Sequence, residues 1–589
     1  ALMFDSTAWA EDRLSWVPNP WQDRLRSIHA HRLREASAIP PGTGRQAEAE
    51  RSANIWLFDK TERIAQLRVP INLKDAELCE MADNLAKRCM SLAEIVPGIL
   101  LNAQQLRRRL AAFVANYGIE APGDDVEDQP AIARMTDNLW WRRKLRVHQA
   151  RLLEAEAIAL GYVHRREQIY ASDATVERRT QQRRRNALAL ENTELENCDT
   201  GESYVLADLA ERSVANPKIR RGELMVRIKG FEHVAQGLGH ISEFVTLTTP
   251  SKFHPKRTNE KGRIEDNPKF CGATPREAQA YLGKVWARIR AKFQRIGLRC
   301  YGFRIAEAHH DATPHWHLLL FLEPARRDEF REIITHYGLA EDGNEPGAQR
   351  NRVNFVAIDP TKGTAAGYIA KYVSKNIDGG GYQVQDDVEG EGYESVNTSP
   401  RIEAWASTWG IRQFQQIGGP PVGVWRELRR TEDSQALSDT VKEARSAADS
   451  GNWRRFVEAM RGPTCERRNL PIRVAYTERG SKYLRRLAGM TDKPLNRYGE
   501  VPAGDVFGVR DTARDRVYVS RRYEWRVLGV KHGAAMRPWT RVNNCTQRES
   551  NDRPQSRGFP FEDARNGKNE GPGRPRPSDC EGRPAAKNT

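Results

Sequence analysis

Two runs suited to β-structure, Leu298 to Glu307 and His315 to Leu322, are separated only by the turn AHHDATP. Strands joined by so short a connection pair antiparallel, because a parallel pair needs a crossover of about a dozen residues. The second run ends in an uninterrupted apolar stretch, Leu318 to Leu322. Further strand patterns flank the hairpin. ISEFVTLTT (Ile241 to Thr249) alternates and is rich in β-branched and aromatic residues, and Val353 to Ile358 is a shorter candidate. Ala278 to Phe293 and Ala365 to Asn376 carry helical periodicity, and the run Gly379-Gly380-Gly381 cannot continue the latter. Strand, helix, paired strands, strand and closing helix predict an α+β domain on an antiparallel sheet.

That domain is one part of a 589-residue chain, a length that predicts two to four domains. From about Ile71 to Leu190 the pattern is helical: Leu78, Met81, Leu85, Cys89 and Leu92 recur at spacings of three and four until Pro97 breaks the run. A second helical stretch, Asn138 to Tyr162, opens on Trp140-Trp141-Arg142-Arg143-Lys144. Arg178, Arg179, Arg183, Arg184 and Arg185 then form a basic cluster, readable as a solvated helix face or as a phosphate-contacting one. Helical patterns return after Pro400, a basic hairpin is predicted around Val509 to Val527, and 551–589 hold six Pro and five Gly with few large apolar side chains. The expected organisation is a mainly helical region over 1–225, a sheet-based domain over 226–395, a helical and β-hairpin region over 396–545, and a disordered tail over 546–589.

Charge narrows the partners. Lys plus Arg exceed Asp plus Glu by 94 to 78, a net +16, which points to a polyanion, most commonly nucleic acid. No apolar run approaches the roughly 20 residues of a membrane span, and no basic segment followed by an apolar stretch marks a secretory signal. The eight cysteines form no CxxC pair, which fits a reducing cytosol and argues against a zinc ribbon or disulfide scaffold.

Two constellations carry chemistry. In Thr313-Pro314-His315-Trp316-His317, positions i and i+2 of a strand share a face, so His315 and His317 point the same way while Trp316, Leu318 and Leu320 face the opposite layer. Two imidazoles on a stiff strand form a platform for a divalent cation, and Glu307, across the turn, is near enough to add a carboxylate. Such a set leaves coordination positions open, as a catalytic site requires. His309 and His310, in the turn, are competing candidates, and an incidental histidine pair is the plainer alternative. The second constellation is Tyr368-Ile-Ala-Lys371-Tyr372-Val-Ser-Lys375. On a helix both Tyr and both Lys fall within a polar arc of about 100°, with Ile369, Val373 and Ile377 on the packed side. A phenolate can attack phosphorus and an ammonium can stabilise the developing charge, although an amphipathic helix with solvated Lys has the same pattern.

FVTLTTPSKFH, RIAEAHHDATPHWHLLLF and GYIAKYVSKNIDG, in that order, together with PPVGVWRELRR (Pro420 to Arg430), resemble the bacteriophage replication gene A proteins, members of the HUH endonuclease superfamily of rolling-circle initiators. The likeness is strongest over about 240–380. It implies an HUH-type sheet nuclease core that nicks one strand of a phage origin. Tyr368 and Tyr372 would be the paired nucleophiles, assisted by Lys371 and Lys375, and His315 and His317 ligands of Mg²⁺ or Mn²⁺. The implied intermediate is a 5′-phosphotyrosyl enzyme with a free 3′-OH for a host DNA polymerase, and the second tyrosine closes the cycle. No GxxxxGK[ST] phosphate loop occurs, so strand displacement is expected to use a host helicase, in the cytoplasm of a bacterial host. A plasmid relaxase or two-tyrosine transposase would share the chemistry, and a non-catalytic basic DNA-binding protein would share the charge.

Overall fold

The hairpin sits at the centre of the molecule. A computed structural model describes residues 6–40, 44–94, 102–259, 261–358, 363–377, 395–432, 436–478 and 495–530. Five strands, β1 (Ile241–Thr248), β2 (Tyr301–Ala308), β3 (Pro314–Leu322), β4 (Val353–Ala357) and β5 (Phe414–Ile417), form one sheet in the order β4-β1-β3-β2-β5. Every neighbouring pair in it is antiparallel. The anticipated α+β architecture is therefore present. The edge strand β5 was not anticipated from FQQI, which is short and half polar.

The sheet is covered on both sides. That explains why LLLFL reads as continuous rather than alternating: successive side chains enter two different cores. Phe244, Phe303, Ile305, Leu319 and Phe321 pack with helices α3 (Pro217–Leu238) and α6 (Ala365–Ile377) through Ile228, Phe231, Ile369 and Val373. On the other face Val245, Leu247, Ala306, Trp316, Leu318 and Leu320 meet α4 (Pro275–Arg295), α5 (Arg327–Gly338) and α7 (Ser395–Trp409). Trp316, Leu318 and Leu320 thus occupy the layer expected for them. All five side chains of Leu318–Leu322 are at most 1% exposed, each stabilising the fold by roughly 1.5–3 kcal/mol. Opposite them, Gly302 has φ +148°, and a Cβ there would stand 2.0 Å from the Leu319 carbonyl oxygen. No other residue fits so close an approach of strand to strand.

The helices begin where local chemistry says they should. α4 starts at Pro275 behind a reciprocal capping box between Thr274 and Glu277. α1 (Asn138–Ala159) is capped by Asp137, whose side chain accepts from the Trp140 amide, and α2 (Asp173–Glu191) by Ser172. The core over the Trp316 face continues into the N-terminal helices through Leu153, Tyr162, Val163 and Tyr170. Two smaller sheets revise the expected basic hairpin. Val506–Asp511 pairs with Arg516–Val519 and Ile472–Tyr476, whereas Trp525–Val530 leaves it to pair with Thr193–Asn197. No described helix is long and apolar enough to cross a membrane. The tail at 546–589 lies outside the described residues.

Candidate active site

Strand register brings the three proposed metal-binding side chains together. Glu307 on β2 stands directly opposite His315 on β3, and His317 is two residues further along the same face. Their ligand atoms all lie within 4.8 Å of one another, and the three residues are the one such His/Cys/Asp/Glu group among the described residues. Glu307 is 3%, His315 8% and His317 7% exposed. His317 Nε2 is 3.7 Å from Glu307 Oε2 and 2.9 Å from His315 Nε2. Two ring lone pairs cannot face each other at that separation without a proton or cation between them. Adjacent ligands of a six-coordinate ion held at about 2.1 Å stand ~3.0 Å apart. The donor set, two imidazoles and a carboxylate, thus fits a divalent cation.

The residues behind the cluster aim it. Thr246, opposite His317 on β1, places Oγ1 3.1 Å from Nδ1, so the His317 ring is held with Nε2 toward Glu307. Asn376 of α6, 3% exposed, donates from Nδ2 to Glu307 Oε1 and, at 2.6 Å, to the Tyr372 carbonyl. Gln413, just before β5, donates to Asn376 Oδ1 at 3.0 Å. This fixes the amide's orientation, because a flipped Asn376 would set its oxygen against two acceptors. Neither Thr246 nor Asn376 was singled out from sequence. Asn376 could have been, since Tyr368, Tyr372 and Asn376 stand at i, i+4 and i+8 and form one stripe along α6.

That stripe crosses the sheet above the cluster. The Tyr368 ring lies 4.7 Å from Phe244, and Tyr372 lies 4.4 Å from the His317 ring while stacking on Phe244 at 5.5 Å. The two tyrosines are not equivalent. Tyr372 is 8% exposed and packs in the core, contrary to a shared polar arc, whereas Tyr368 is half-buried. Burial raises the Tyr368 phenol above its ordinary value of 10.0. The side chains of Lys371 and Lys375 lie outside the described residues.

The turn histidines have other neighbours. The His309 ring sits 4.0 Å from His315 and 5.1 Å from His254, and His310 stacks on Tyr170 at 5.5 Å. Asp311 pairs with His254 at 2.9 Å. Burial alone would raise the Asp311 carboxyl, but His254, His309 and the Thr313 amide outweigh it and hold it down at about 2. Within the arginine cluster of α2, Arg178 bonds Gln149, while Arg179 and Arg183 both reach Glu403 at 2.8 Å. Those three serve packing between helices rather than a free phosphate-contacting face.

Fold and site together define an α+β protein whose central antiparallel sheet presents a His-x-His and carboxylate cluster beneath a helix bearing two tyrosines. The chain belongs to the bacteriophage replication gene A protein family, whose model matches residues 78–380. It is similar to the replication gene A protein of Escherichia phage 186, 40% identical over 441 residues, covering 72% of this chain and 60% of that one. The probable replication protein of Pseudoalteromonas phage PM2 is 33% identical over 580 residues, covering 92% of this chain and 86% of the relative. A probable replication endonuclease from a prophage-like region of Salmonella paratyphi A is 30% identical, covering 81% of this chain and 59% of its own length. Several relatives are thus matched over less than two thirds of their length. No solved structure matches the chain.

Proposed function

We propose that this chain is a DNA endonuclease of phage replication, built on an HUH-type core over about 226–395, that cuts one strand at an origin through a tyrosine nucleophile. The observation that carries this reading is the tyrosine stripe of α6 laid over Glu307, His315 and His317, with the Tyr372 ring 4.4 Å from that of His317. The names of the relatives, replication endonuclease among them, support the same reaction class.

His315, His317 and Glu307 would hold a divalent cation, Mg²⁺ or Mn²⁺, which when bound withdraws charge from a non-bridging phosphate oxygen. Thr246 and Asn376 keep two of those three ligands aimed. A tyrosine Oη attacks phosphorus, the new O–P bond replaces the P–O3′ bond, and the departing 3′-oxygen takes up a proton. The products are a 5′-phosphotyrosyl enzyme and a free 3′-OH. Because burial keeps the Tyr368 phenol protonated, its proton must leave as the bond forms, a role suited to Lys371 or Lys375. The second tyrosine repeats the step on the regenerated junction, and the 3′-OH released by that second cleavage attacks the first phosphotyrosyl adduct, rejoining the strand and freeing the first tyrosine. Host polymerase and helicase would supply synthesis and unwinding in the bacterial cytoplasm, which makes the whole a rolling-circle initiator.

The test is conversion of supercoiled origin DNA to nicked circles with Mg²⁺ or Mn²⁺ and with EDTA. Nicking that needs the metal and is lost in His315→Ala/His317→Ala is expected. Binding without any nick would favour a non-catalytic DNA-binding protein instead.

A further inference from the structure

The face of α4 turned away from the sheet is a second charged surface that the cleavage chemistry does not use. Its inner side, Leu282, Val285, Trp286, Ile289 and Phe293, is buried under the Trp316 face, and Trp316 Nε1 donates to Gln279 at 2.9 Å. Its outer side is a strip of exposed small residues, Ala280, Gly283, Ala287 and Ala291. Lys284, Arg288, Lys292 and Arg295 flank the strip within an arc of about 80°, at 100° per residue. Arg290 lies on the strip's other side.

These five cations have no ion-pair or hydrogen-bond partner among the described residues. Their neighbours do. Arg326 holds Glu329, Arg327 and Arg331 hold the buried Glu243, and Arg299 holds Glu466. The single acid of α4, Glu277, is committed to the helix cap. Like charges at i and i+4, as in Lys284, Arg288 and Lys292, weaken a helix, so the row is a cost to the isolated protein that a polyanion would relieve.

We infer that this face docks the phosphate backbone of duplex DNA. The small residues let a backbone approach closely, and the flanking cations reach phosphates without reading bases. A single strand is a poorer fit, because binding it relies on exposed aromatic platforms, whereas Trp286 and Phe293 on α4 are both buried. The face lies on the side of the sheet opposite the tyrosines, so duplex held there leaves the cluster open to an unpaired strand. The inference rests on the proposed function only in taking DNA as the substrate.

The test uses the full chain with Lys284→Ala, Arg288→Ala, Lys292→Ala and Arg295→Ala combined, titrated by fluorescence anisotropy with a 25-base-pair duplex over a series of NaCl concentrations. Each lost phosphate contact should remove ~0.9 from the slope of log K against log salt, so the combined variant should lose about 3.6. Adduct formation on a short single-stranded oligonucleotide should stay within twofold of wild type. If the combined variant does not fold, the four single variants, each losing ~0.9, carry the same test. An unchanged slope overturns the inference, and so does an equal loss on single-stranded DNA of the same length. Wild-type protein that forms no adduct would overturn the proposed function while leaving the duplex result standing.

Discussion

Replacing Asn376 by Leu keeps the side-chain size and removes every hydrogen bond the amide makes. Glu307 Oε1 and the Tyr372 carbonyl lose a donor, and Gln413 loses its acceptor. The Tyr372 carbonyl retains its place in the α6 ladder, so the main loss falls on the buried carboxylate. A hydrogen bond to a charged group contributes about 1.5–3 kcal/mol, or roughly 10- to 100-fold in affinity. The same range is typical of residues standing behind metal ligands. Isothermal titration of the protein with Mn²⁺ alone should therefore show Asn376→Leu binding roughly 10- to 100-fold more weakly. Adduct formation at saturating Mn²⁺ should also be slower, since the same amide ties the tyrosine helix to β2. Gln413→Leu should show the same pattern more mildly, and the double variant should be no worse than Asn376→Leu. Wild-type Mn²⁺ affinity in Asn376→Leu would refute the reasoning, because Glu307 would then be aimed by something else.

Tyr368→Phe and Tyr372→Phe each remove one nucleophilic oxygen and little packing, so each single variant should still nick a short oligonucleotide but fail to complete replication of a circular template. In the Tyr372→Phe background, which leaves Tyr368 as the proposed nucleophile, the adduct rate should still be rising with pH at 10, the ordinary phenol value. A plateau below that pH would contradict rate control by the raised Tyr368 phenol and point to the proton-accepting lysine instead. Asp311, held at about 2 against an ordinary 3.8, stabilises the fold above the latter value and loses that contribution as pH falls toward the former. Asp311→Asn should accordingly flatten the acid limb of a stability–pH curve, and an unaltered limb would count against the His254 pair. Gly302→Ala, which drives a Cβ into the Leu319 carbonyl, should lower the thermal midpoint by several degrees, the effect of about 1–3 kcal/mol.

The parts of the site that depend on period were legible in the sequence. Two-residue alternation put His315 and His317 on one face and Trp316 on the other, and the short turn brought Glu307 opposite His315. The parts that depend on which element lies next door were not. Nothing local in FVTLTT says that Thr246 will face His317, because that follows from β1 pairing with β3 rather than with β2. The helical wheel grouped Tyr372 with the lysines as polar, yet α6 lies on the sheet with Tyr372 inward, since the sheet offers Phe244 and His317 as partners. The strand β5 was missed for the same reason: its order comes from pairing with β2, not from the propensity of Phe414–Ile417.

The central claim is that a tyrosine of α6 becomes covalently joined to DNA. Protein incubated with origin oligonucleotide and Mn²⁺, denatured, digested and sequenced by mass spectrometry tests it directly. The account predicts a DNA-linked peptide modified at Tyr368 or Tyr372, absent when both are Phe and absent in EDTA. A linked peptide containing neither residue, with the nucleotide on Tyr337, Tyr382 or Tyr393 instead, would contradict it.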